Sequence, residues 1–256
     1  MHHSCCSFVR LLALCAASLS AAASAAFSQV AYMSGTDEPW DTTTNLESMD
    51  RAFGSGNWTR TVFGGTDASA LAGYSFVFVD GGDGNSVGFT DFMNGNRTGL
   101  ENWVASGGHL FLNAATWTGG TLDLGFGVTL TFHESATGTA VDPAHPIFQG
   151  PNTVGTSYSG NWFAHNFITG EGLDPIMMGT QGIVLASRTW GDGFVMFGAQ
   201  TTPNFHNGID PVGLLANELV FASGGMVPVP EPSTYGLVAT GLLMGIVLWR
   251  RRRARA

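Results

Sequence analysis

The run Asp80-Gly-Gly-Asp-Gly-Asn85 follows the apolar segment Tyr74-Ser-Phe-Val-Phe-Val79 and puts two carboxylates and an amide among three glycines. Open α/β sheets bind ligands outside the carboxyl ends of their strands, so this motif is the leading site candidate. Asp80, Asp83 and Asn85 offer hard oxygens to calcium or hydrogen bonds to a sugar, and Gly81 and Gly82 let backbone donors approach. The calcium-loop pattern D-x-[DN]-x-[DN]-G is not matched, because Gly82 takes the second ligand position. The simpler reading is a tight turn that uses Asp and Gly for their backbone habits.

His145, next to Pro146, is the histidine to follow. In one pocket with Asp80 or Asp83 it would supply general acid and base chemistry for a hydrolase. No metal-binding spacing links His133, Glu134, His145, His165 and His206, so a structural or exposed role is the plainer reading of each, and no metal is expected. Trp40, Trp58, Trp117, Trp162 and Trp190 fall in or beside loops, where a tryptophan either anchors the loop or stacks on a sugar ring.

These residues need a scaffold. Short apolar runs alternate with helix-length segments from Val30 onward, which predicts a single three-layer α/β domain with a mainly parallel, flavodoxin-like sheet. Strands are expected at 30–33, 60–63, 74–79 and 109–112, with a weaker one at 128–132. A helix is expected over 45–53, and a second over 99–105 that could begin near Thr90 and stops at Ser106-Gly-Gly108. Residues 144–147 read as a turn into a short helix and 157–169 as an aromatic-rich loop. Segments 182–188 and 193–197 predict a late antiparallel hairpin, and Asp210-Pro211 caps a last helix over 212–221.

The two ends carry different information. Arg10 followed by the apolar, alanine-rich stretch 11–26 reads as a signal peptide, with small-x-small cleavage sites at Ala23-Ser-Ala25 and Ser24-Ala-Ala26. An uncleaved anchor, or a lipoprotein built on Cys15, are the alternatives. The predicted organisation is a signal peptide (1–26), an exported domain (27–225), a linker (226–234), an apolar membrane segment (235–249) and a basic cytoplasmic tail (250–256). Cys5, Cys6 and Cys15 are the only cysteines and leave with the signal peptide, so the exported domain has neither disulfide nor cysteine nucleophile. Between Phe27 and Pro232, four arginines and no lysine face all 19 acidic residues, a formal charge of −15. Such a surface repels phosphate backbones and anionic headgroups, which argues against nucleic-acid and peripheral membrane binding.

Pro230-Glu231-Pro232, the uncharged run 235–249 and Arg250, Arg251, Arg252 and Arg253 together resemble the PEP-CTERM sorting signal of exopolysaccharide-producing Gram-negative bacteria. That resemblance implies export through the translocon with signal peptidase, passage through the inner membrane on the C-terminal segment, and processing near the Pro-Glu-Pro turn by an exosortase-type enzyme. The cell surface or extracellular matrix is then the destination. Retention of the segment as a lasting anchor is the alternative.

Within the exported part, four segments in order resemble the class I glutamine-amidotransferase-like fold, in its ThuA-like branch. They are Phe76-Val-Phe-Val-Asp-Gly-Gly82, Leu100 through Thr116, Ala144-His-Pro-Ile147, and Arg188 through Phe197. In catalytic relatives a cysteine nucleophile stands where Asn113-Ala114-Ala115 stands here, and glycines like Gly81 and Gly82 help form an oxyanion hole. The nucleophile is missing, as is the histidine typical of the ThuA-like branch near Asn113. The sorting signal and the empty nucleophile position together imply a non-catalytic exported protein; no cofactor is expected, with calcium at the Asp80–Asn85 oxygens as the alternative. The protein would bind or organise exopolysaccharide or partner proteins through Asp80, Gly81, Gly82, Asp83, Asn113 and His145. A carbohydrate-active hydrolase using Asp80 or Asp83 with His145 is the alternative.

Overall fold

The computed structural model describes residues 29–225. The signal peptide, linker, apolar segment and basic tail read from the sequence lie outside the described residues. No helix among the described residues is long and apolar enough to cross a membrane.

Strands β1 (Val30–Ser34), β2 (Thr59–Val62), β3 (Phe76–Asp80), β4 (His109–Asn113) and β10 (Gly193–Gly198) pair in parallel in the order β2-β1-β3-β4-β10. Four of these five segments are apolar runs because both faces of the sheet are covered. Phe76 and Phe78 point into one core with Met49, Phe53, Leu214 and Leu219; Val77 and Val79 point into the other with Phe89, Phe92, Leu100 and Val104. Helices α1 (Thr44–Phe53) and α4 (Pro211–Ala222) thus cover one face and α2 (Ser86–Ala105) the other, giving three layers.

Beyond β10 the sheet changes character. β9 (Ile183–Trp190) pairs antiparallel with β10, and β5 (Thr121–Gly125), β6 (Val128–Ala140), β7 (Ser157–Gly170) and β8 (Asp174–Met178) continue antiparallel. The expected mainly parallel, flavodoxin-like sheet is therefore corrected to a mixed one in which antiparallel ladders predominate. The physical reason lies in β6 and β7, which pair with each other over 13 and 14 residues and leave many outward side chains in solvent. One-sided sheets of this kind are antiparallel. Residues 157–169, expected as a loop, are most of β7. The expected hairpin is present, with Gly193 opposite Trp190.

Helix α2 is also longer than its sequence pattern predicts. It starts at Ser86, directly after the Asp-Gly-Asn turn, because Phe89, Phe92 and Met93 extend the buried stripe of Leu100 and Val104 toward the site. The last helix begins as expected, with Pro211 in its first turn and the Asp210 carboxylate accepting from the Gly213 amide. The short helix α3 (Pro146–Gln149) packs on α4 through Asn217, whose side chain donates to the Ile147 carbonyl.

Candidate functional site

Asp80 ends β3 beside Asn113 at the end of β4. It is 2% exposed. Its Oδ1 accepts from the Gly82 amide at 2.7 Å, and its Oδ2 accepts from Asn45 at 2.8 Å and from Asn113 at 3.3 Å. Burial raises its carboxyl to a pKa of about 6, against the opposing pull of those three donors. Asn113 also donates to the Gln200 carbonyl at 3.0 Å and accepts from the Gln200 amide at 3.1 Å. Gln200 in turn donates to Glu218 of α4 at 3.3 Å. Glu218 is fully buried, and desolvation raises its carboxyl to about 8. On the other side Asn45 donates to the Tyr32 hydroxyl, which donates to Glu38, which pairs with Arg60 at 2.7 Å.

Most polar groups of this floor are engaged with one another, although Asn45 Oδ1 and Glu218 Oε2 make no hydrogen bond. The amide of Gly81 donates to the Asn113 carbonyl, and that of Gly82 to Asp80, so neither is available to an oxyanion. Gly81 is glycine for a packing reason: a Cβ there would lie 2.2 Å from the Phe89 ring. The Asp80 oxygens face N–H donors, which suit a carboxylate and oppose a bound cation. Among the described residues no three His, Cys, Asp or Glu side chains are grouped to hold a metal. Asp83 is used structurally, its Oδ2 accepting from the Trp40 amide at 2.9 Å.

The expected partner of Asp80 is elsewhere. His145 caps α3 and lies 4.7 Å, ring to ring, from Phe221 in the last turn of α4. The carbonyl of the next residue, Ala222, meets the ring of His109, which begins β4, whereas Asp80 pairs with Asn113 at the other end of that strand. His145 therefore belongs to the opposite end of the sheet, and an acid–base pair of Asp80 or Asp83 with His145 is not formed.

What gathers above the floor is aromatic. The buried ring of His165 stacks on Trp40 at 5.3 Å and 18°, meets Trp117 at 4.1 Å, and lies parallel to Trp162 at 6.3 Å and 23°. Trp117 and Trp162 remain 44% and 46% exposed. Burial lowers the His165 pKa, opposed by the charges of Glu134 and Asp83, so the ring is neutral near pH 7.

Each tryptophan is placed by a specific device. Trp40 and Trp162 have left-handed backbones, with φ of 63° and 65°, a conformation that costs bulky residues about 1–3 kcal/mol and concentrates at functional sites. In the β6–β7 ladder Ser135 pairs with Ala164 and Thr137 with Ser159, so β7 carries three extra residues there. That bulge turns Trp162 outward, where its indole donates to Glu134 at 2.8 Å. A Cβ on Gly160, in the same bulge, would lie 2.1 Å from the Phe205 carbonyl oxygen, so only glycine allows this close approach. Trp117 follows Thr116, whose amide donates to Asn166 at 2.8 Å beside His165. Trp58 and Trp190 are the anchors: the first donates to Asp50 at 2.9 Å, and the second packs on Phe126 under Arg188.

Residues 228–253 match the PEP-CTERM protein-sorting motif, in agreement with the resemblance read from the tail. The motif implies an exported protein handled by an exosortase. No curated protein matches the chain. Among solved structures the chain is similar to a cytoplasmic protein from Salmonella typhimurium, at 13% identity and a TM-score of 0.46, covering 76% of this chain and 98% of that one. It is also similar to a protein described as ThuA-like from Parabacteroides merdae, at 13% identity and a TM-score of 0.43, covering 79% and 92%. A β-galactosidase from Bacillus circulans sp. alkalophilus matches at 14% identity and a TM-score of 0.45, over 79% of this chain and 32% of that enzyme. The chain spans about a third of the length of that β-galactosidase. These are likenesses of outline and assign no chemistry.

Proposed function

We propose that this is an exported, exosortase-sorted protein of the cell surface or extracellular matrix whose folded domain binds neutral polysaccharide without catalysis. The observation that carries the binding role is the tryptophan rim: two half-exposed indoles around the neutral ring of His165, Trp162 held by a left-handed backbone and by Glu134, and Trp117 packed on the imidazole at 4.1 Å. Flat aromatic faces next to hydrogen-bonding groups suit the apolar faces and hydroxyls of sugar rings. Charge narrows the ligand. A cleft of about 310 Å³ beside Trp40 is lined by Asp37, Glu38, Asp41 and Asp83, which disfavours uronate-bearing polymers.

Support for a non-catalytic role comes from the floor, where the resemblance sets the stretch Asn113-Ala114-Ala115 in place of a cysteine nucleophile and both neighbouring glycine amides are engaged. A hydrolase built on Asp80 and His145 gains no support from a pair set at opposite ends of the sheet, Asp80 beside Asn113 and His145 near Phe221 and the His109 end of β4. Calcium binding gains none from an Asp80 surrounded by N–H donors.

Titrating the protein with a neutral polysaccharide while following tryptophan emission tests the binding role. A saturable spectral shift, not reproduced by glycerol, is the expected result, and an unchanged spectrum across neutral polymers would refute it. Fractionation of the native host, with intact masses of both termini, tests the sorting. A mature chain from near Phe27 to near Pro232 in the surface polymer is expected; full-length tails in the inner membrane would identify a retained anchor.

A further inference from the structure

The rim does not stop at Trp40. The Trp40 ring meets Trp117 at 5.6 Å and Phe205 at 5.1 Å, and Trp117 meets Trp162 at 6.3 Å, so four rings form a continuous row. Beyond this row, where Asp41 and His206 follow Trp40 and Phe205 in the chain, a separate cleft of about 580 Å³ opens. Asp41, Thr42, Thr44, Asn204 and His206 are among its lining residues.

His206 is the unusual member. It is 6% exposed, and neither ring nitrogen makes a hydrogen bond. The Phe163 carbonyl lies near enough to favour the protonated ring, but not in hydrogen-bonding geometry. Burial lowers the pKa to about 3, so the imidazole is neutral and presents one donor and one acceptor. The same ring lines an inner chamber of about 10 Å³, the room of a single water or hydroxyl, together with Asn45, whose Oδ1 is buried and unpartnered. Buried polar atoms are seldom left unpaired, so such a pair calls for a hydrogen-bonding partner in the chamber, a water or a ligand hydroxyl.

We propose that this cleft is a second saccharide subsite, in which His206 at the base and Asn204 at the edge hydrogen-bond the hydroxyls of a neutral sugar unit whose chain continues along the row of rings to Trp117 and Trp162. The proposal rests on the saccharide-binding reading of the rim and gives that site its length and polarity. Among the described residues Asp41 and Glu47 supply the ionisable side chains of the cleft besides His206, so an anionic sugar is disfavoured there.

The test is calorimetric titration of the full-length protein with cello- and chito-oligosaccharides of two to six units, in the wild type and in His206→Phe and Asn204→Ala. Phenylalanine keeps an aromatic ring to stack on Phe163, as His206 does at 4.2 Å and 29°, and removes both nitrogens while adding one ring atom. Asn204 is exposed, so its variant guards against a folding defect in the first. Each variant is expected to bind the longer oligomers about 3- to 10-fold more weakly, the loss of one or two hydrogen bonds, and to bind the disaccharide as the wild type does. Unchanged affinity for every length in both variants, with the wild type still binding, would overturn the subsite and leave the rim reading intact. A wild type that binds no oligosaccharide overturns both.

Discussion

The floor and the rim of this site are built from similar residue types and do opposite things with them. On the floor, Asp80, Asn45, Asn113 and Gln200 are buried and tied to one another by hydrogen bonds of 2.8 to 3.3 Å. On the rim, Trp117 and Trp162 stand half in solvent over a buried histidine, with a left-handed backbone at Trp162. Polar residues at the end of a central strand look like a reaction centre in the sequence, but here they close the fold. The difference teaches that a polar cluster becomes a ligand site only where unpartnered groups border a cleft or the surface, as the rings of His165 and His206 do.

If that division holds, floor substitutions change stability and spare binding, and substitutions of the exposed rim tryptophans do the reverse. The largest effect should be the pH dependence set by Glu218. Its folded pKa of about 8 lies above the ordinary carboxylate value, so the group favours folding while protonated and loses that contribution as pH rises from about 4.5 through about 8. Glu218→Gln should remove this slope, matching the wild type near pH 4 and exceeding it by about 3–5 kcal/mol at pH 9, as read from denaturant unfolding. A variant with the wild-type slope would place the effect elsewhere.

Asp80→Ala comes next. It strands the Asn45 and Asn113 donors and the Gly82 amide in the interior, at a cost of about 3 kcal/mol or more in chemical denaturation. Saccharide affinity of the folded fraction should stay within about 2-fold of wild type, and a larger fall would break the division between floor and rim. Gly160→Ala sharpens the comparison from the other side. The added methyl meets the Phe205 carbonyl, a backbone atom, so about 1–3 kcal/mol of stability should be lost together with binding as the bulge carrying Trp162 shifts. Normal binding in this variant would show that the bulge does not set the rim.

Much of the parallel half was legible in the sequence. Val30–Met33, Phe76–Val79 and His109–Leu112 are short β-rich runs ended by turn residues, and burial on both faces makes such strands apolar throughout. Asp210-Pro211 announced α4 in the same local way. The antiparallel half was not legible, because β7 contains Asn161, His165 and Asn166, and its pairing with β6 depends on partners far along the chain. The start of α2 was hidden by Gly88 and Asn94 to Asn96, which dilute the buried stripe. Asp80 and Asn113 end neighbouring strands, but their bonds to Asn45 and Gln200 had no sequence signal. The rim was visible only as scattered tryptophans; residues 40, 117, 162 and 165 meet through the sheet, and no spacing records that.

The most direct measurement is affinity electrophoresis of the wild type, the Trp117→Ala/Trp162→Ala double variant and Asn113→Ala through gels containing a neutral polysaccharide. The account predicts that the double variant loses about 10-fold or more in affinity while its unfolding midpoint is nearly unchanged, and that Asn113→Ala is destabilised but still retarded. Retardation of the double variant equal to that of the wild type would contradict it.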